Sequence, residues 1–222
     1  FKDGSVDHTK KADGVAPAQT HMAFVTSASY DGNLNADFQK ADGKFHISGT
    51  GTAGADFGSA LAGADARCQY HAHNLGGTWK AALSTTNGTA GGRHTITTNL
   101  YSIPPAGSNP TEPTFNPSQY VHSNNLWQTT EALCSPGTEI LKNNGFQIDE
   151  AGKQVTGSYW TGASTSGALD TDHHCSGFTT NSSSDSGRVG KVGEKDCDWL
   201  HHSTARQCST SQHLLCISIS PP

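Results

Sequence analysis

Charge and apolar bulk are both scarce in this chain. Asp, Glu, Lys and Arg make up 15% of its 222 residues, and hydrophobic residues only 33%. No apolar run approaches the ~18 residues that a membrane-crossing helix needs, so no membrane insertion is expected. The fourteen Lys and Arg are scattered and the formal net charge is −5, which argues against nucleic acid or heparin as a partner. No C-x-x-C occurs among the six cysteines, which disfavours a zinc ribbon or a thioredoxin-like redox site. No G-x-S-x-G elbow stands on a strand–helix turn, so a serine-hydrolase reading has no anchor. The chain is not expected to be an enzyme.

Small polar side chains and cysteines fill the space these absences leave. A thin core for this length gains from cross-links, and six cysteines able to pair point to an oxidising compartment. No signal peptide is present at Phe1, so the chain is expected to be the mature or excised C-terminal part of a longer exported protein.

Residues 1–20 are polar and aperiodic and read as a linker or stalk end; residues 21–222 read as one domain. Met22–Ala28 is expected to be a strand, followed by a Gly- and Asp-rich excursion over Tyr30–Gly58 with a small hairpin near Lys44–Ser48. Leu61, Ala64, Cys68, Ala72 and Leu75 recur at helical spacing, which predicts a helix over Ser59–Leu75 with Ser59 as N-cap and Gly76-Gly77 as stop. Gly63 inside it costs about 1 kcal/mol against Ala and marks close packing. Thr78–Ser84 alternates like a half-buried strand, and Ile103–Tyr120, with five of the nine prolines, reads as an irregular loop. A short helix is expected at Leu126–Leu133, and strands at Phe146–Ile148, Tyr159–Gly162, Ser176–Thr180, Arg188–Val192 and His213–Ile219.

Taken in order, AFVTSASYDGNL (23–34), AGADARC (62–68), GTWKAALS (77–84), LW-x₅-L (126–133), YWTG (159–162), CSGFTT (175–180), GRVGKV (187–192) and C-x₇-CI (208–217) span about 190 residues. Together they resemble the endostatin-like branch of the C-type-lectin fold, which includes bacterial surface domains. The resemblance implies an α+β domain with long loops and nested disulfides Cys68–Cys216 and Cys175–Cys208, leaving Cys134 and Cys197 to pair with each other. It also implies that Trp79, Trp127 and Trp160 are core. The family's basic surface is missing here, and so are the Glu-Pro-Asn and Trp-Asn-Asp sugar motifs of calcium-dependent lectins. The fold hosts many unrelated binders, so function has to be read from the loops.

Two loop segments carry chemistry. Asp170, Asp172 and His173 precede Cys175, while Asp196, Asp198, His201 and His202 lie between Cys197 and Cys208. A Cys175–Cys208 bridge would draw the two together. Carboxylate with imidazole suits zinc, carboxylate with carbonyl suits calcium, and the competing reading is simply solvated loops. Neither segment has the spacing of H-E-x-x-H. For glycan binding the sequence offers Trp199 as the aromatic expected to be exposed, with Asp196, Asp198, His201 and His202 around it, and Tyr120, His122 and Phe115 in the proline-rich region as a second choice.

The expected whole is an extracellular binding tip of an exported bacterial surface or fibre protein, recognising cell-surface glycan on another cell. Repetition on a homotrimer would raise a weak single-site affinity. The rivals are a module that binds a surface protein, which predicts an exposed apolar patch, a ligand-free structural cap, and, more remotely, a metal-dependent hydrolase.

Overall fold

Strict alternation in the last strand, His213–Ser218, organises the molecule. Leu214 and Cys216 point into one apolar cluster with Phe24, Trp79 and Trp160. Leu215 and Ile217 point into another with Val25, Phe146, Tyr159 and Trp199. A strand whose successive side chains take opposite faces can be apolar throughout only if both faces are covered. Both are covered here.

The structure, a computed structural model, describes residues 21–36, 38–39, 46–47, 56–94, 100–103, 120–122, 141 and 145–219. Its elements run β1 (His21–Val25), β2 (Phe38–Gln39), β3 (His46–Ile47), α1 (Ala60–His71), β4 (Trp79–Ala81), α2 (Ala90–Arg93), β5 (Leu100–Ser102), β6 (Tyr120–His122) and β7 (Ser158–Trp160). They continue with α3 (Cys175–Phe178), β8 (Ser186–Gly187), β9 (Val189–Lys191), β10 (Arg206–Gln207) and β11 (His213–Ser218). The class is α+β, mostly strands with few helices.

The main sheet is ordered β6-β5-β1-β11-β7-β9, with β4 added beside β11. First and last strands are antiparallel neighbours, in register Ala23↔Ile217 and Val25↔Leu215. On its other side β11 pairs with β4 through Cys216↔Ala81 and, nearer its start, in parallel with β7 through His213↔Tyr159.

Helix α1 starts where the sequence places it: Ser59 is extended (φ −159°) and its hydroxyl accepts from the Ala62 amide at 3.2 Å. Its buried face is Ala60, Gly63, Ala64, Arg67, Cys68 and His71, so Leu61 and Leu75 sit at its margin, only partly buried. The helix ends at His71, short of the expected Leu75, and passes into a 3-10 turn at Ala72–Asn74. Gly63 is required by contact: a Cβ there would lie 1.9 Å from the Leu34 carbonyl oxygen. Arg67 seals the same junction, donating to Leu34 O (2.8 Å), Gly63 O (3.0 Å) and Ala36 O (3.0 Å).

Two bridges tie the ends of this fold. Cys68–Cys216 joins α1 to β11 and Cys175–Cys208 joins α3 to the segment after β10, as the resemblance implies. Cys197 is also disulfide-bonded; Cys134, its expected partner, lies outside the described residues. So do the expected linker at 1–20, the Leu126–Leu133 helix and Trp127. Trp79 and Trp160 are buried as expected.

Two of the expected strands are absent from the described structure. Ser176–Thr180 falls largely in α3, a short turn in which Cys175, Ser176 and Phe178 take φ of +47°, +52° and +61°. Left-handed backbone at non-glycine residues costs roughly 1–2 kcal/mol each and persists only where the surroundings impose it. Here the Cys175 bridge and the fully buried Phe178 ring do so. Phe146–Ile148 makes only an isolated bridge, Ile148↔Gln154, closing a tight turn around Asp149. The hairpin expected near Lys44–Ser48 is present as β2 and β3, whereas β5 was not foreseen.

Candidate functional site

The bridge between Cys175 and Cys208 does bring the two Asp/His segments together, but around an arginine. Arg188, which precedes β9, is 7% exposed and donates from Nε to Asp170 Oδ2 at 2.6 Å. Its other nitrogens donate to the carbonyls of His202 (2.9 Å) and Ser203 (3.2 Å) and to His173 Nδ1 (2.9 Å). The second oxygen of Asp170 accepts from the amides of Asp172 (3.0 Å) and His173 (3.2 Å). Burial alone would raise the Asp170 pKa; the Arg188 guanidinium and the Asp172 amide outweigh it and hold the carboxyl below its ordinary value. His201 lies 3.7 Å from Asp170, and burial first, then Arg188, lowers its pKa.

This geometry corrects the metal reading of Asp170, Asp172 and His173. Both Asp170 oxygens and His173 Nδ1 are already engaged, and a divalent cation would have a guanidinium as its neighbour. Asp172 is exposed and contributes only its backbone. Among the described residues no three His, Cys, Asp or Glu side chains converge as ion ligands. Zinc or calcium does not fit these residues.

Trp199 is a second correction. It is 1% exposed, packs edge-on against Phe146 at 5.5 Å, and receives the Tyr159 hydroxyl on its carbonyl at 2.5 Å. A sugar ring cannot stack on it. The reason lies next door in β9: a Cβ on Gly190 would stand 2.1 Å from the Trp199 carbonyl, so the missing side chain lets the 197–199 turn seat directly on the strand. Asp196 caps that turn by accepting from the Asp198 amide at 2.9 Å, and so serves the backbone. Asp198 remains partly exposed, 3.9 Å from His202. Tyr120 and His122 lie on β6, at the opposite edge of the sheet from β9, and so do not share a site with Asp196–His202. Phe115 lies outside the described residues.

What opens beside the Arg188 knot is a cleft of about 350 Å³. One wall is Gln147 with Gln154 to Ser158; the other is Lys191, Val192, His202 and Arg206. Backbone bonds set the walls: Val155 N to Gln147 O (2.8 Å), Val192 N to Gly157 O (3.0 Å) and His202 N to Val189 O (2.8 Å). Arg206 stands on β10, which pairs with β8 and is followed at once by the bridged Cys208. Of the residues that the sequence offered as ligand contacts, only His202 lines this cleft. The others that form it, glutamines, hydroxyls and single cations on separate strands, carry no spacing that would have revealed them.

A separate polar chain braces the far end of α1. Glu150 accepts from the Ser27 amide (2.9 Å) and hydroxyl and from His71 Nδ1 (2.5 Å), and His71 Nε2 meets the Tyr30 hydroxyl at 2.8 Å. Burial would raise the Glu150 pKa, but the His71 and Ser27 hydrogen bonds lower it overall. Burial pushes the Tyr30 phenol well above its ordinary value, so it stays protonated and acts as a strut. Compared with known proteins, the chain matches no family model and no curated sequence.

Proposed function

We propose that this is an extracellular recognition domain of the endostatin-like C-type-lectin type that binds cell-surface glycan in the cleft between Gln147–Ser158 and Lys191–Arg206. The observation that carries the reading is the cleft itself: open, about 350 Å³, and lined by amide, hydroxyl and cationic side chains on a disulfide-tied frame. Such groups satisfy sugar hydroxyls, and a preorganised wall lowers the cost of ordering them on binding. The adjacency of β1 and β11 and the two nested bridges support the fold assignment. Those bridges also support export to an oxidising location, and a bacterial surface protein is the setting the motifs suggest. No helix among the described residues is long and apolar enough to cross a membrane.

Binding without catalysis is the activity proposed, with no metal between protein and sugar. Among the described residues no tyrosine or tryptophan lines the cleft, so single-site affinity rests on hydrogen bonds and is weak; display on a homotrimer would multiply it. A protein-docking role has less support, because Ile219 is the one large apolar side chain exposed among the described residues. A glycan array probed with the folded chain, with and without a chelator, tests this. A defined, chelator-insensitive set is expected. A blank array from folded protein would refute the glycan reading and leave a protein partner or a structural cap.

A further inference from the structure

Charge around the cleft runs against the charge of the chain. The net charge is −5, yet among the described residues no Asp or Glu lines the cleft, while Lys191 and Arg206 do. These cations are not equivalent. Lys191 is answered by Glu194 at 2.5 Å. Arg206 is exposed, meets no carboxylate and uses none of its side-chain donors within the described residues. Hydrogen-bonding capacity leans the same way. Gln147 Oε1 already accepts from Gln154 at 3.4 Å, and the Ser158 hydroxyl already donates to Gln212. The Arg206 guanidinium keeps its donors for a ligand, and Thr156 on the facing wall adds a hydroxyl.

We propose that the sugar taken by this cleft carries a carboxylate, gripped by the Arg206 guanidinium; this rests on the glycan reading above. A guanidinium presents two parallel N–H groups that match the two oxygens of a carboxylate. One unanswered cation suits one isolated negative charge. A repeating sulfated polymer needs a run of cations, and the net-negative surface repels it. The ligand class is therefore a sialylated or uronate-terminated glycan.

The test is an array of matched glycans in neutral, carboxylated and sulfated forms, probed with the full chain and with Arg206→Gln and Arg206→Lys. Thermal unfolding of each variant serves as the folding control. The expected result is preference for the carboxylated forms, a loss of roughly tenfold or more in Arg206→Gln, and partial retention in Arg206→Lys. Preference for neutral forms, unchanged in Arg206→Gln, overturns the charge assignment and leaves the glycan reading intact. Carboxylate binding that Arg206→Gln does not weaken overturns Arg206 as the reader. Binding confined to sulfated forms overturns the carboxylate, and a blank array from folded protein overturns both readings.

Discussion

Replacing Arg188 with methionine leaves Asp170 as a buried carboxylate with no countercharge. Both side chains are about a tenth exposed, 9% for Arg188 and 10% for Asp170, so solvent screens the pair poorly. Breaking a buried pair from one side costs about 3–5 kcal/mol, because the surviving charge keeps its desolvation penalty. The bonds to the His202 and Ser203 carbonyls go as well. At about 2–4 °C per kcal/mol for a chain of this size, the melting temperature should fall by roughly 6–20 °C under oxidising conditions. The loss should depend on pH. With Arg188 present, Asp170 titrates below its unfolded value, so the pair stabilises the fold above the unfolded carboxylate pKa and loses that contribution as the pH falls through the folded one. Without Arg188 burial dominates and the carboxyl protonates more readily, so the gap between wild type and Arg188→Met should narrow as the pH falls through the carboxylate range. Adding Asp170→Asn should recover more than half of the stability. Denaturant titrations of the two singles and the double measure all of this. A loss under about 1 kcal/mol in Arg188→Met, or a double mutant as unstable as the sum of the singles, would refute the role given to this pair.

Three other perturbations probe the frame. Gly63→Ala should destabilise by about 1–3 kcal/mol despite alanine's higher helix propensity, since the methyl meets the Leu34 carbonyl; a stabilised variant in a thermal melt would contradict that contact. His94, buried against the Ala81 carbonyl at 3.0 Å, has its pKa lowered to about 4, chiefly by burial. The unfolded chain binds that proton first, so stability should drop by about 3 kcal/mol between pH 6.5 and 4, and His94→Gln should flatten that slope in unfolding measurements. Removing the Cys68–Cys216 bridge, which closes 148 residues, should cost up to about 5 kcal/mol, seen as a lower denaturant midpoint for the double alanine variant; no shift would show that the loop is held by packing alone.

Local signals reached the frame and stopped at the site. Ser59 capping α1, the strand at His213–Ile219 and the close packing marked by Gly63 could each be read from neighbouring residues, because caps and short apolar runs are local signals. Strand β5 could not, since Leu100–Ser102 is held by parallel pairing to β1 far upstream. Trp199 was misplaced for a similar reason: its polar neighbours suggested a wet loop, and its burial depends on Gly190 and Phe146 in other segments. The Asp/His segments were rightly expected to meet. The sequence did not show that Arg188 would occupy their centre, because one arginine between the short strands β8 and β9 carries no mark of a buried partner.

Because β1 and β11 lie antiparallel side by side, a force drawing His21 and Ser218 apart would peel the pair open from one end instead of shearing it. Peeling loads one rung at a time and meets little resistance. On the β11 side, however, only Ser218 and Ile217 precede Cys216, whose bond to Cys68 passes the tension into α1. The covalent link is thus a mechanical stop two residues in. Beyond it the rungs of β11 with β7, and the cleft walls that β7 and β9 carry, would be shielded from a pull arriving by that route.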